Sequence, residues 1–313
     1  MKLISTQSIW QNNQHNAFTD LVEYQGRYFC CFRQATNHVS KDGIVRILVS
    51  DDLENWQLIS TESYHLADLR DPKLTIHPSG KLLLTYYRKR FTPAGQCIAN
   101  ENCVSFSTTA ISWSQPKVLG ENNWWLWRYR FYQNTGLAIA YNRSQNTVHL
   151  YQGDPLASFH KVKDPLFSLS SHGKGYPNES DILFTEDGTA ICILRRDADS
   201  FSAQLGIAKL GYQNWQWYDL AEYVGGPAML RLSNGKIIVA GRRWIANRLK
   251  KQLTTWIFEL DLDNKKLIPL LELESAGDNS YPAMIEKQGK LYVSYYSQHS
   301  NRKCAIYLAS IDL

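Results

Sequence analysis

The feature that most restricts what this chain can fold into is a phrase that returns six times. In its clearest copy, from Tyr176 to Arg195, a polar entrance leads to an apolar run, an Asp-Gly turn, a second apolar run and an arginine. LVEYQGRYFCCFR, LTIHPSGKLLLTYYR, RFYQNTGLAIAYNR, AMLRLSNGKIIVAGR and AMIEKQGKLYVSYY repeat it. The turn glycines are Gly26, Gly80, Gly136, Gly188, Gly235 and Gly289, spaced 54, 56, 52, 47 and 54 residues apart. A hairpin recurring about every fifty residues has the period of a four-stranded propeller blade. One blade cannot bury both of its faces, whereas blades stacked radially bury each other. The expectation is an all-β, six-bladed β-propeller that takes up residues 1–313 as a single domain.

The 10 Trp and 18 Tyr supply the flat rings that fill space between packed sheets. The alternating segment Lys2–Trp10 and the C-terminal CAIYLASIDL are expected to share blade six, which would remove exposed sheet edges. A net charge of +5 without a Lys/Arg run argues against nucleic acid as a partner. The segment RRWIANRLKKQ is expected to be an exposed loop or one helical turn. No stretch is long and apolar enough for a membrane span, and MKLISTQSIWQNNQ lacks the apolar core of a signal peptide.

Cys30, Cys31, Cys97, Cys103, Cys192 and Cys304 are scattered. Cys30 and Cys31 would face opposite sides of a strand. Cys97 and Cys103 could close a loop, but free thiols are the simpler reading. No Cys or His spacing matches a metal site. The expectation is a cytoplasmic protein without metal or cofactor, and its oligomeric state is not legible.

In a propeller the innermost strands line a central channel, so residues just ahead of each repeated strand are expected to converge. Those residues are Asp20, Asp71, Arg128, Glu179, the Gly226-Pro227 pair, and Asp278 with Tyr281. Turn chemistry accounts for single Asp or Asn residues at such places. Their recurrence at one repeat position points instead to a site. Ends of the second strands carry Arg33, Arg88, Arg143, Arg195, Arg242 and Tyr296. Buried arginines need carboxylate partners, so some of these will pair with the acids.

Carboxylates across a cavity are what glycosidic cleavage requires: one protonates the leaving oxygen while a nucleophile or base works on the other face. Blades one and four would be opposite, which makes Asp20 and Glu179 the first catalytic candidates, then Asp71 and Tyr281. Arg70, Arg128, Arg195 and Arg242 would position substrate, with Arg33 and Asp278 also in the set and Trp125 or Trp127 offering a stacking face. Guanidinium groups favour a sugar bearing a carboxylate or sulfate. The rival reading is a non-catalytic glycan-binding propeller. A protein-interaction scaffold would want an apolar face where these charges gather.

Several of these phrases resemble the six-bladed sialidase superfamily over nearly the whole chain. Ser50-Asp51-Asp52-Leu53-Glu54-Asn55-Trp56 is similar to that family's Asp-box turn, S-x-D-x-G-x-T-W, shortened and without its glycine. Arg195 follows Glu179 by sixteen residues, as an arginine follows the blade-four glutamate of sialidases. Tyr281-Pro282-Ala283-Met284-Ile285 is similar to the Y-S-x-x-L phrase that carries the family's nucleophilic tyrosine. The resemblance implies that Glu179 is a base assisting Tyr281 and that Arg195 binds a carboxylate. Where sialidases carry R-I-P, this chain has Ala17-Phe18-Thr19. Arg70-Asp71-Pro72 also resembles the R-D-P motif of five-bladed fructosidases and arabinosidases, although the repeat count differs. Together these imply an exo-glycosidase of sialidase-like fold acting on a terminal, acidic sugar.

Overall fold

The computed structural model describes residues 1–245, 252–300 and 302–313. The chain forms six antiparallel sheets, one per repeat, and is a six-bladed β-propeller. Two compact units divide it, Met1–Asn123 with Glu274–Leu313, and Trp124–Leu273. The first holds blades one, two and six, and the second holds blades three, four and five.

Blade one runs through strands His15–Tyr24, Arg27–Ala35, Ile44–Ser50 and Gln57–Glu62. Blade two uses Ala67–Ile76, Leu82–Phe91, Cys97–Ser107 and Lys117–Leu119. Blade six takes Ser280–Lys287, Lys290–Ser297 and Ala305–Asp312, and its fourth strand is Lys2–Trp10, paired from Lys2↔Asp312 to Trp10↔Ile306. The two ends of the chain thus share one sheet, as expected.

In the second unit, blade three is Trp125–Leu126 and Arg130–Tyr132, then Thr135–Asn142, Thr147–Gly153 and Phe159–Ser168. Blade four is Pro177–Phe184, Ala190–Arg196, Gln204–Ala208 and Trp215–Asp219. Blade five is Gly225–Arg231, Ile237–Ile245, Gln252–Asp261 and Lys266–Leu273. The expected loop or helical turn at RRWIANRLKKQ is corrected at both ends, because Arg242–Ile245 continue a strand and Gln252 opens the next; residues 246–251 lie outside the described residues.

Alternation decides which face each strand buries. Blade one sends Phe29, Cys31, Val45, Ile47 and Val49 against Leu69, Leu74, Leu82 and Leu84 of blade two. Blade four sends Ile191, Ile193 and Leu205 against Met229, Val239 and Phe258 of blade five. Each such side chain contributes about 1.5–3 kcal/mol on burial, so the interfaces between neighbouring sheets are where these units are held together.

Five of the six repeat glycines sit in the hairpin turns at positive φ. Blades one and six use two-residue turns, Gln25-Gly26 and Gln288-Gly289, with φ positive at both residues as a tight hairpin demands. Gly136 is the exception. It lies in a strand opposite Gly153, and a Cβ there would stand 2.8 Å from the Gly153 carbonyl oxygen.

The Ser50–Trp56 turn is built as the resemblance implies. Ser50 Oγ accepts the Leu53 N–H at 2.8 Å, Asp52 Oδ1 accepts the Glu54 and Asn55 N–H groups, and Trp56 Nε1 donates to the Leu53 carbonyl. Ser107 and Ala110 form the matching turn in blade two, and Tyr212 with Trp215 the one in blade four. Leu53, Ala110 and Tyr212 take φ of 66°, 60° and 53°. The latter two turns lack the Asp that would have exposed them in the sequence.

Candidate active site

One device recurs in the first strand of every blade but the interrupted third. Two residues face one on the second strand, at Phe18-Thr19, Asp71-Pro72, Asn178-Glu179, Gly226-Pro227 and Tyr281-Pro282. Such a bulge leaves one residue unpaired and re-aims its side chain. Pro72, Pro227 and Pro282 fit there because a bulge position needs no ladder N–H. Asp20, Asp71, Glu179, Gly226-Pro227 and Tyr281 therefore lie within the first strands, not ahead of them as the sequence reading placed them, whereas Asp278 precedes its strand and Arg128 falls in the interruption of blade three.

In the first unit the bulge residues Phe18, Asp71 and Tyr281 hold φ of 63°, 49° and 47°. Left-handed backbone at a bulky residue is an outlier, costing of order 1–3 kcal/mol, and such strain collects at functional sites. Phe18 is the hub. The Tyr281 ring meets it edge-on at 5.1 Å, and the Arg70 guanidinium lies 5.3 Å from its centroid. Arg70 Nε stands 4.0 Å from Asp71 Oδ2, and Arg70 Nη1 donates to the His38 carbonyl at 2.7 Å and to Asp68 Oδ2 at 3.2 Å.

Asp278 Oδ2 is approached by His15 Nε2 at 2.9 Å and His38 Nδ1 at 2.6 Å, while its Oδ1 accepts from the Tyr296 hydroxyl at 2.8 Å. Asp20 is 2% exposed and spends Oδ2 on the Leu74 N–H of blade two, at 2.7 Å. This bond joins the sheets of blades one and two. Arg33, expected to bind substrate, is fully buried, with Nε on Asp68 at 2.6 Å and its other nitrogens on the carbonyls of Asn37 and Ser40.

In the second unit Glu179 Oε2 accepts from Arg195 Nη1 at 2.5 Å and from the Gly226 N–H at 2.9 Å. Arg195 is also paired through Nη2 with Asp197 at 2.9 Å, and it lies over the Tyr223 ring. The Tyr223 hydroxyl donates to Asp197 Oδ1 at 3.0 Å. Burial pushes that phenol up to about 12, with the Arg195 and Arg242 charges opposing the shift and Asp197 and Glu179 adding to it. Arg242 is half-buried and acts on the same group.

The sequence count aligned Arg195 with Arg33 and Arg242. Pairing instead places Arg196 at their position, opposite Pro177, because blade four carries one more residue between turn and bulge. Arg196 is fully buried and donates to the Gly175 and Ser202 carbonyls and to Asp199. Arg195 faces the bulge, next to Glu179.

Asp181 was not singled out in the sequence. It holds Arg130 through two bonds of 2.8 and 2.7 Å, stands 3.8 Å from Arg128 Nε, and accepts the Met229 N–H of blade five at 2.8 Å. Its parallel with Asp20 is the only signal that could have found it. Of the two expected stacking residues, Trp127 is 3% exposed, its ring packed by Trp125 and Tyr141, while Trp125 is half-buried.

No protein-family model matches the chain, and no curated protein matches it. Solved structures do. A protein of unknown function from Dyadobacter fermentans is 18% identical with a TM-score of 0.81, over 100% of this chain and 99% of that one. The GH93 α-L-arabinofuranosidase of Fusarium graminearum is 13% identical with a TM-score of 0.74, over 100% and 98%. A Trypanosoma rangeli sialidase mutant displaying trans-sialidase activity is 11% identical with a TM-score of 0.69, over 99% of this chain and 57% of that one. The fold is that of the sialidase-like propellers. All six cysteines are free, and no helix among the described residues is long and apolar enough to cross a membrane.

Proposed function

We propose that the chain is a glycoside hydrolase that removes a terminal, acidic sugar, with residues 1–313 acting as one domain in a reducing compartment. The observation that carries this reading is the repeated bulge. Asp71, Glu179 and Tyr281, which share a repeat position in the sequence, fall on it, in a fold whose solved neighbours include a sialidase and an arabinofuranosidase. Asp71 and Tyr281 of the first unit and Glu179 of the second are the catalytic candidates. Arg70, Arg195 and Arg242 are proposed to receive the anionic group, by bidentate pairing with a carboxylate or sulfate. Asp20 is proposed to hold blades one and two together, and Arg128 to support Asp181.

Chromogenic exo-glycosides, sialosides and α-L-arabinofuranosides included, test the reading against wild type, Glu179→Gln and Tyr281→Phe. Turnover by wild type that falls at least a hundredfold in either variant supports it. Saturable binding of an acidic sugar with no turnover of any substrate favours a non-catalytic glycan-binding propeller.

A further inference from the structure

His15, His38 and Asp278 are distant in sequence but present three ligand atoms within 4.8 Å of one another. His15 opens blade one, His38 lies in the loop between that blade's second and third strands, and Asp278 precedes blade six. Both imidazoles reach the same carboxylate oxygen, at 2.9 and 2.6 Å. As hydrogen bonds, both nitrogens must donate to one acceptor. As ligands, the same atoms need only spread to about 3.4 Å, the separation that ~2.1 Å bonds give in a tetrahedron.

We propose that His15, His38 and Asp278 bind a divalent transition-metal ion. Two imidazole nitrogens and one carboxylate oxygen are the donor set of Zn²⁺ and its first-row neighbours, and unlike that of Ca²⁺ or Mg²⁺. His15 Nδ1 has no hydrogen-bond partner among the described residues, so nothing there locks the tautomer, and Nε2 can present its lone pair to the ion. Ligation places the ring protons on Nδ1 of His15 and Nε2 of His38. The side chains are 5%, 21% and 46% exposed for His15, Asp278 and His38. That gradient gives the ion a buried seat, a way in, and a fourth position open to water.

The supports of the ligands are in place as well. Asp278 is oriented by the Tyr296 hydroxyl on Oδ1 and by its own N–H bond to Gln298 at 2.9 Å. The His38 loop is pinned by Arg33 on the carbonyls of Asn37 and Ser40, and by Arg70 on the carbonyl of His38 itself. Both arginines rest on Asp68. Gly43 makes room for that pair, since a Cβ there would lie 2.0 Å from Asp68 Oδ1 and 2.4 Å from Arg33 Nε. This gives buried Arg33 a task that substrate binding does not. Partners of this kind commonly alter metal affinity 10–100-fold.

The test uses the untagged full chain, stripped with chelator and titrated with Zn²⁺ by calorimetry and with Co²⁺ by visible absorption. One equivalent should bind, with the Co²⁺ spectrum of a four-coordinate nitrogen–oxygen site. His38→Ala and Asp278→Asn should each weaken binding at least tenfold, Gly43→Ala should weaken it with all three ligands still present, and His160→Ala should leave it unchanged. Melting curves establish that each variant is folded; should Asp278→Asn unfold, His38→Ala on the exposed loop decides. Absence of stoichiometric binding, or affinity unaffected by His38→Ala, overturns the proposal. None of these readouts depends on glycosidase activity, so failure of either reading leaves the other standing.

Discussion

Glu179 and Asp181 sit two residues apart on one strand, yet their substitutions should separate function from stability. Asp181 has no exposed side-chain surface and holds the Arg130 fork, the Met229 N–H of the next sheet and the charge of Arg128, itself 5% exposed. Asp181→Asn keeps the shape and removes the charge. Breaking a buried ion pair in this way costs about 3–5 kcal/mol. Glu179→Gln removes one carboxylate from Arg195, but Asp197 still neutralises that guanidinium through Nε and Nη2. What is lost is close to one charged hydrogen bond, about 1.5–3 kcal/mol. A chain of 313 residues has an unfolding entropy near 0.66 kcal/mol/K at ~2.1 cal/mol/K per residue. The expected falls in melting temperature are then about 5–8 °C for Asp181→Asn and about 2–5 °C for Glu179→Gln. If Glu179 is the proposed base, turnover should behave in the opposite sense, because loss of a general base costs about 100- to 10,000-fold. Calorimetric melts and glycoside hydrolysis on the same preparations check both. Equal destabilisation by the two substitutions, with activity retained in Glu179→Gln, would refute the reasoning and make Glu179 a second strut.

Three further outcomes are expected. Tyr281→Phe should fold like wild type, because the Phe18 and Tyr296 contacts are made by its ring, and should lose at least a hundredfold in turnover if the phenolic oxygen acts in the reaction. Asp219 is pushed up by burial, but bonds from Lys174, Ala221 and Ser202 outweigh this and bring it down to about 2 from 3.8. Its share of stability is therefore present above pH ~4 and lost as pH falls toward ~2, and Asp219→Asn should flatten acid unfolding over that window. Gly206→Ala should cost about 1–3 kcal/mol in denaturant titration, since the added Cβ would stand 2.6 Å from the Trp217 ring.

Much of the architecture was legible because its causes are local. Turn chemistry and apolar alternation lie within some twenty contiguous residues and recur about every fifty, so the repeated hairpins and the Ser50–Trp56 turn could be read directly. Gly136 misled for an instructive reason: a glycine required by the close approach of Gly153 looks, in sequence, like a glycine required by a turn. The candidate residues Asp71, Glu179 and Tyr281 were legible by repeat position. Their bulges were not, since an extra residue is defined only by what lies opposite it on the neighbouring strand.

By itself, then, the amino-acid order determined the six repeated hairpins, the sharing of blade six by both chain ends, and the gathering of acids and arginines at one repeat position. Only the tertiary structure decided which of those charges are spent. Arg33 and Arg195 read alike, but pairing across strands buries one under a loop and sets the other against Glu179. Asp20 and Asp181 each accept a backbone N–H of the next sheet, and Asp181 holds Arg130 as well. His15, His38 and Asp278 meet only because the chain's end returns to its beginning. Register and burial are properties of contacts between distant segments, and those contacts set whether a charged group can be reached by a ligand.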